Sequence, residues 1–384
     1  PRERRLPPPA PVDAAPALAA AAAALTEPLR GAPGVLFGGS NARWERYAKR
    51  RRDTDGAAVD TRGELLSLDL TVEGVAPDGM RQTVNRRVFA RSLERASDAA
   101  ALRAVGESAR DELAALLAAS STAPFSAPAL VDPEVAGALV ASLAQRLTGE
   151  EIRNPAGAQT FRGRLGERVL PADLSLADDP RESEFRGEPL VGGYDHDDQG
   201  VPARRARLVE KGRLTGLLLS RYAAKGFPRS NGHARSAPGR APLAWPANLF
   251  LTTDRPRAPE QLLARLREEC ARRGLPHGLW VRGVHTWSQE QGGGGQGSIR
   301  VRAGVWLVPA TGGEPRRVRD LDLVGTPLVM LGGILAAGDD ARVWSDSLNG
   351  IPVSVAAPSL LLGDAELQRS QAQPEKLPLL APPR

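Results

Sequence analysis

The sequence predicts an α+β fold, a small α/β N-terminal region followed by a larger antiparallel-β-rich C-terminal domain with flanking helices. Three observations predict it. Apolar runs of strand length recur along the chain, most densely in its second half. The 40 Gly and 33 Pro residues punctuate those runs with turns. Only a few stretches carry helical spacing, and they flank the strand runs. At 384 residues the chain can hold two or three domains. The expected divisions are a disordered tail at 1–13, an N-terminal region at 14–122, a C-terminal domain at 130–368 and a Pro-rich tail at 369–384.

Residues 14–25 are nearly all Ala and Leu, which favours helix. Residues 34–38 and 44–47 suggest short strands. Residues 65–72, LLSLDLTV, alternate apolar and polar side chains as a half-buried strand does. A turn at 74–79 leads to a further strand at 85–90. Residues 98–120 form a helix whose apolar stripe is Ala101, Leu102, Val105, Ala109, Leu113, Leu116 and Leu117. The prolines in 121–129 mark a linker.

Asp132-Pro133-Glu134 opens the next helix. Asp is a good N-cap, and Pro is tolerated at the first helical position because its missing N–H had no partner there. Short strands are expected at 161–167 and 174–176. Residues 206–210 and 214–219, joined at Lys211-Gly212, read as a β-hairpin. The helix at 259–273 places Cys270 with Leu262 and Leu266, as a small buried hydrophobe rather than a nucleophile. Strands at 278–284, 298–309, 318–324 and 349–355 complete the domain. The glycines at 292–295 form a loop, read as solvated, with a lid beside Trp287 as the alternative.

The net charge is +6, but only four of the 51 basic residues are Lys. Arg interspersed with Asp and Glu reads as compositional bias, so no nucleic-acid partner is expected. The run Lys49-Arg50-Arg51-Arg52 reads as a solvated turn. No apolar run is long enough to span a membrane. A single cysteine excludes an intrachain disulfide and a Cys-based metal cluster.

The residues densest in chemistry lie between 195 and 238. An acidic turn, Asp197-Asp198-Gln199-Gly200, precedes Val209-Glu210-Lys211-Gly212-Arg213-Leu214-Thr215-Gly216, and Ser230-Asn231-Gly232-His233-Ala234-Arg235 follows. This order resembles the C-terminal domain of the TldD/PmbA family of zinc metallopeptidases and their paired non-catalytic homologues. The likeness extends more weakly over 131–362. The resemblance implies a His-Glu-x-x-x-His zinc motif on the helix that follows Asp132-Pro133-Glu134, where two imidazoles hold the metal and the Glu acts on bound water. Here its positions fall on Ala141, Ser142 and Arg146, or one residue earlier on Val140, Ala141 and Gln145. No histidine precedes His196, and no cysteine follows Cys270. A metal site is therefore not expected, and zinc is expected only in an active partner. His196 in the acidic turn reads as a turn residue rather than a metal ligand.

What the resemblance leaves is peptide binding. Asn231, Gly232, His233 and Arg235 are the candidate substrate-binding residues, Arg235 by gripping a carboxylate. The competing reading makes Asn231-Gly232 a tight turn and pairs Arg235 with an acidic neighbour. The resemblance implies a homo- or heterodimer, with a TldD-like metallopeptidase homologue as partner and peptide as substrate. An active hydrolase using another site and a stand-alone peptide-binding scaffold are the alternatives. The family implies cytoplasm, and a sequence that starts at Pro1 leaves export open.

Overall fold

A computed structural model describes residues 12–52, 54, 58–153, 160–222, 224, 226–237, 239–290 and 297–370. The glycine loop at 292–295 and nearly all of both expected tails lie outside them. The fold is α+β. In the N-terminal part, β1 (Phe37–Arg52), β2 (Ala58–Val75) and β3 (Arg81–Ala90) form an antiparallel meander. Helices α1 (Ala15–Thr26) and α2 (Ala99–Ala118) cover it. Alternate residues of β2, namely Leu66, Leu68, Leu70 and Val72, are buried with Leu25, Leu102 and Leu113 of the helices. The two short strands expected before residue 48 are one continuous strand. β2 supplies a partner from Phe37↔Glu73 to Arg52↔Ala58, and that pairing carries β1 through residues with no strand pattern of their own. The helices meet closely at Gly106, where a Cβ would lie 2.2 Å from the Leu25 carbonyl oxygen.

A separate core fills the C-terminal part. Where a linker was expected, Phe125–Val131 is a strand paired on both sides. Its Pro128 falls where the pairing with Leu360–Arg369 shifts register, so the missing N–H costs no ladder bond. Strands Phe125–Val131, Leu360–Arg369, Leu321–Gly325, Ser298–Pro309 and His277–Glu290 pair in turn, and the last pairs back to the first. A six-stranded sheet lies beside this ring. Its order is Arg213–Leu214, Ala206–Glu210, Leu174–Asp178, Asn248–Thr253, Ile351–Ala357 and Arg342–Leu348.

Helix α3 (Pro133–Ala144) packs against strands of both layers. Every residue from Val135 to Ala144 is buried. A helix that is apolar all round belongs inside, and this sequence has no polar stripe to present to water. Asp132 caps it as expected, its Oδ1 accepting from Val135 N at 2.9 Å. Two further expectations are corrected. Residues 161–167 make turns rather than a strand, and the hairpin's second arm is only Arg213–Leu214. The Lys211-Gly212 turn itself is as read, with φ of +46° and +79° at its two residues. Among the described residues, no helix is long and apolar enough to cross a membrane.

Candidate binding cleft

The strongly patterned loop at 226–235 is not an open binding surface. His233 is fully buried, Arg235 is 9% exposed, and Gly232 is buried with them. Asn231 Nδ2 donates to Leu217 O, and Asn231 Oδ1 accepts from Leu219 N, both at 2.8 Å. Oδ1 also lies 3.0 Å from His233 Nδ1. An oxygen that already accepts requires the hydrogen to be on Nδ1. His233 Nε2 then faces Asp178 Oδ1 at 3.6 Å, beyond hydrogen-bond length. Asp178 itself accepts from Ala247 N and Asn248 N. Arg235 donates to the carbonyls of Pro246 and Pro352, at 2.7 Å each, and stacks on Tyr194. The acidic neighbours expected for it serve elsewhere. Asp197 accepts three backbone N–H groups, and Asp198 takes Ser236 N and Lys49. These residues tie backbone segments together inside the domain.

The open concavity lies elsewhere. A cleft of about 1060 Å³ runs between the N-terminal sheet and the C-terminal part, at the C-terminal end of α3. Three elements position its side chains. From β3, Arg87 reaches across to Asp346 on the strand Arg342–Leu348, and also to Asp69 on β2. From His277–Glu290, Trp287 donates its indole N–H to Asp346 Oδ2 at 2.6 Å. Trp344 packs edge-on to Trp287, centroids 5.8 Å apart. Trp344 also covers Gly137 of α3, where a Cβ would lie 2.8 Å from its own. Burial opposes the Arg87 charge, but Asp346 and Asp69 outweigh it and raise its pKa.

A second bridge runs through His285, which lines the cleft. Glu112 of α2 accepts from His285 Nε2 at 3.1 Å and pairs with Arg317. Burial works against the Glu112 charge, yet its bonds from His285 and Arg317 hold its pKa well below the usual carboxylate range. Burial lowers the His285 pKa despite the Glu112 bond. Arg87 and Glu112 escaped the sequence reading.

The zinc that the resemblance implies does not fit the donors at this end of α3. Ala141 is fully buried and offers a methyl group. Ser142 Oγ accepts from Gln289 at 2.6 Å, and Arg146 pairs with Glu151 at 3.5 Å. Asp346 has both oxygens engaged, by Arg87 and Ser347 N on one side and Trp287 on the other. The cations of Arg87 and Arg146 line the same cleft and would repel a divalent metal. Among the described residues, no three His, Cys, Asp or Glu side chains gather where a metal could sit.

Residues 124–369 match the family model described as PmbA/TldA metallopeptidase C-terminal domain. A metalloprotease of Methanothermobacter thermautotrophicus is 28% identical over 247 residues, covering 62% of this chain and 49% of its own. One of Archaeoglobus fulgidus is 27% identical over 208 residues, 53% of this chain and 44% of its own. The chain thus spans about half the length of the curated relatives it matches. The crystal structure of TldE from Thermococcus kodakarensis has a similar fold, with a TM-score of 0.68 at 16% identity. That match covers 95% of this chain and 77% of the other.

Proposed function

The chain belongs to the PmbA/TldD metallopeptidase family, and from that premise we propose that it is a non-catalytic subunit that holds extended peptide for a zinc-bearing relative. One observation carries the reading. Beside α3 a cleft stands open, while the positions that the resemblance gives to the two ligands and the base are Ala141, Arg146 and Ser142, of which Arg146 lines the cleft. Strand Arg342–Leu348 borders the cleft and ends its sheet, paired only with Ile351–Ala357. β3 ends the opposing sheet and lines the other wall. A peptide laid between two sheet edges gains main-chain hydrogen bonds without any catalytic group. Trp287 and Trp344 offer an apolar wall for its side chains. Asn231, Gly232, His233 and Arg235 support this frame from within the domain rather than touching the peptide.

The partner in this reading is a TldD-like homologue with an intact zinc motif, in a heterodimer in the cytoplasm. The test is metal content by mass spectrometry, for the chain alone and after co-expression with such a homologue. The expected result is no stoichiometric zinc alone and a stable zinc-containing complex together. About one zinc per chain in the lone protein would overturn the reading. Neither metal nor complex would leave a stand-alone peptide-binding protein.

A further inference from the structure

The outer face of the six-stranded sheet carries a second concavity, far from α3 in function and built differently. Its volume is about 980 Å³, and its floor is Ser175, Ala177, Phe250 and Thr252 from the two central strands. Five cations stand on it or at its rim: Arg168, Arg205, Arg207, Lys211 and Arg213. All five are exposed, and Glu210 is the single carboxylate in the lining. Glu210 pairs with Arg207 at 3.1 Å, and Arg213 donates to Gly166 O. The hairpin around Lys211-Gly212 fixes the spacing of this row. Lys211 N donates to Ser175 Oγ, and Gly212 N donates to Leu174 O, which seats the turn on the neighbouring strand.

We propose that this groove docks an acidic, extended segment of a partner protein. Three observations select that occupant. The first is charge: one carboxylate cannot balance five cations, so the groove presents a positive field to any visitor. The second is shape. Arg207 lies on strand Ala206–Glu210, Arg205 just before it and Lys211 just after, so the row spans about 20 Å at about 3.3 Å per residue, which matches an extended segment of about six residues. The third is the floor, which suits peptide better than nucleic acid. Its one aromatic ring, Phe250, is half-buried and tilted against Phe185 at 6.0 Å, so the groove offers no row of rings for successive bases to stack on. The terminal stretches of this sequence are not acidic runs: residues 1–11 hold one Glu among three Arg, and residues 371–384 hold one Glu beside a Lys and an Arg.

The inference stands apart from the peptide cleft and from zinc pairing, because no residue is shared between the two concavities. Fluorescence anisotropy on the full chain tests it, with a labelled hexaglutamate peptide, a neutral Gly/Ser peptide of equal length and a labelled oligothymidine as probes. The hexaglutamate peptide is expected to bind and the neutral one not. Binding should weaken at least tenfold between 50 and 500 mM salt. The triple variant Arg205→Ser, Arg207→Ser, Lys211→Ser should also lose at least tenfold. All three sites are exposed, so the fold should persist. A control triple, Arg43→Ser, Arg103→Ser, Arg265→Ser, removes equal charge elsewhere and should change binding less than twofold. Equal loss in both triples would reduce the effect to net charge and overturn the groove. So would no hexaglutamate binding at all, or tighter binding of the oligothymidine through the same three residues.

Discussion

The knot around Asp178, His233 and Arg235 and the cleft around Arg87 and Asp346 both gather charged side chains, but they hold different things. In the knot, side chains hold backbone. Arg235 ties two carbonyls more than a hundred residues apart in sequence, and Asp178 ties two adjacent N–H groups. In the cleft, side chains hold side chains across two packing units. Arg87 belongs to the N-terminal sheet and Asp346 to the C-terminal one. The knot therefore fixes one domain's fold, while the cleft contacts fix how two units face each other. A motif can be strongly patterned for the first reason and still touch no ligand.

The largest effect expected follows from the knot. Arg235→Ala leaves two carbonyls unsatisfied and a void beside Tyr194, and should cost about 4 kcal/mol of stability. Arg235→Lys should recover only part of it: both bonds come from one nitrogen, Nη1, which an ammonium can imitate, but the planar stack on Tyr194 is lost. The urea midpoint reads both. A loss under about 1 kcal/mol would show that the knot is dispensable. In the cleft, Asp346→Ala leaves Arg87 to Asp69 alone and the Trp287 indole without its acceptor, both near solvent. It should cost about 2 kcal/mol or less. Its clearer signature is amide exchange, faster in β3 and unchanged in Ile351–Ala357. Uniform acceleration through the C-terminal sheet would place Asp346 with the knot instead.

The contrast also sorts what the sequence could reveal. Elements carried by their own residues were legible. The stripe of α2 and the alternation of β2 state their buried faces outright, and Asp132-Pro133 states where α3 begins. Elements carried by a partner were not. β1 lacks a strand pattern in its second half and is held by β2, and Phe125–Val131 is held on both sides despite its proline. The site divides the same way. That α3 carries no histidine at the positions the resemblance gives to the zinc motif is local and could be read directly. The cleft is not local: Arg87 and Asp346 are 259 residues apart and meet only when the sheets do. The Ser-Asn-Gly-His-Ala-Arg loop misled because its polar residues bind, but bind their own backbone.

A smaller expected effect concerns Ser142, at the position that the resemblance gives to the Glu of the zinc motif. Ser142→Ala removes one bond to Gln289 and leaves that amide near the cleft, where water can serve it. The cost should be about 1 kcal/mol, without any change in metal content. A change in zinc binding would make Ser142 a candidate ligand.

The smallest net effect comes from two groups of opposite sign. Burial, with help from Glu134, raises the Asp132 pKa to about 6. An acid whose folded pKa is raised binds its proton more tightly when folded. Its contribution is complete below the unfolded value of about 3.9 and is lost as pH rises through about 6. Burial lowers the His285 pKa, so the unfolded chain binds that proton more tightly. Stability is then lost as pH falls below the unfolded value of about 6.5. Between about pH 4 and 6.5 the two slopes oppose, and together they should shift stability by only about 1 kcal/mol. Removing either one exposes the other. Asp132→Asn should lose more stability than the parent on going from pH 7 to 5, since only the histidine slope remains. His285→Gln, which can still donate to Glu112, should lose less or gain. Chemical denaturation at the two pH values measures both, and parallel pH responses in parent and variants would mean that neither group sets the docking of the two units.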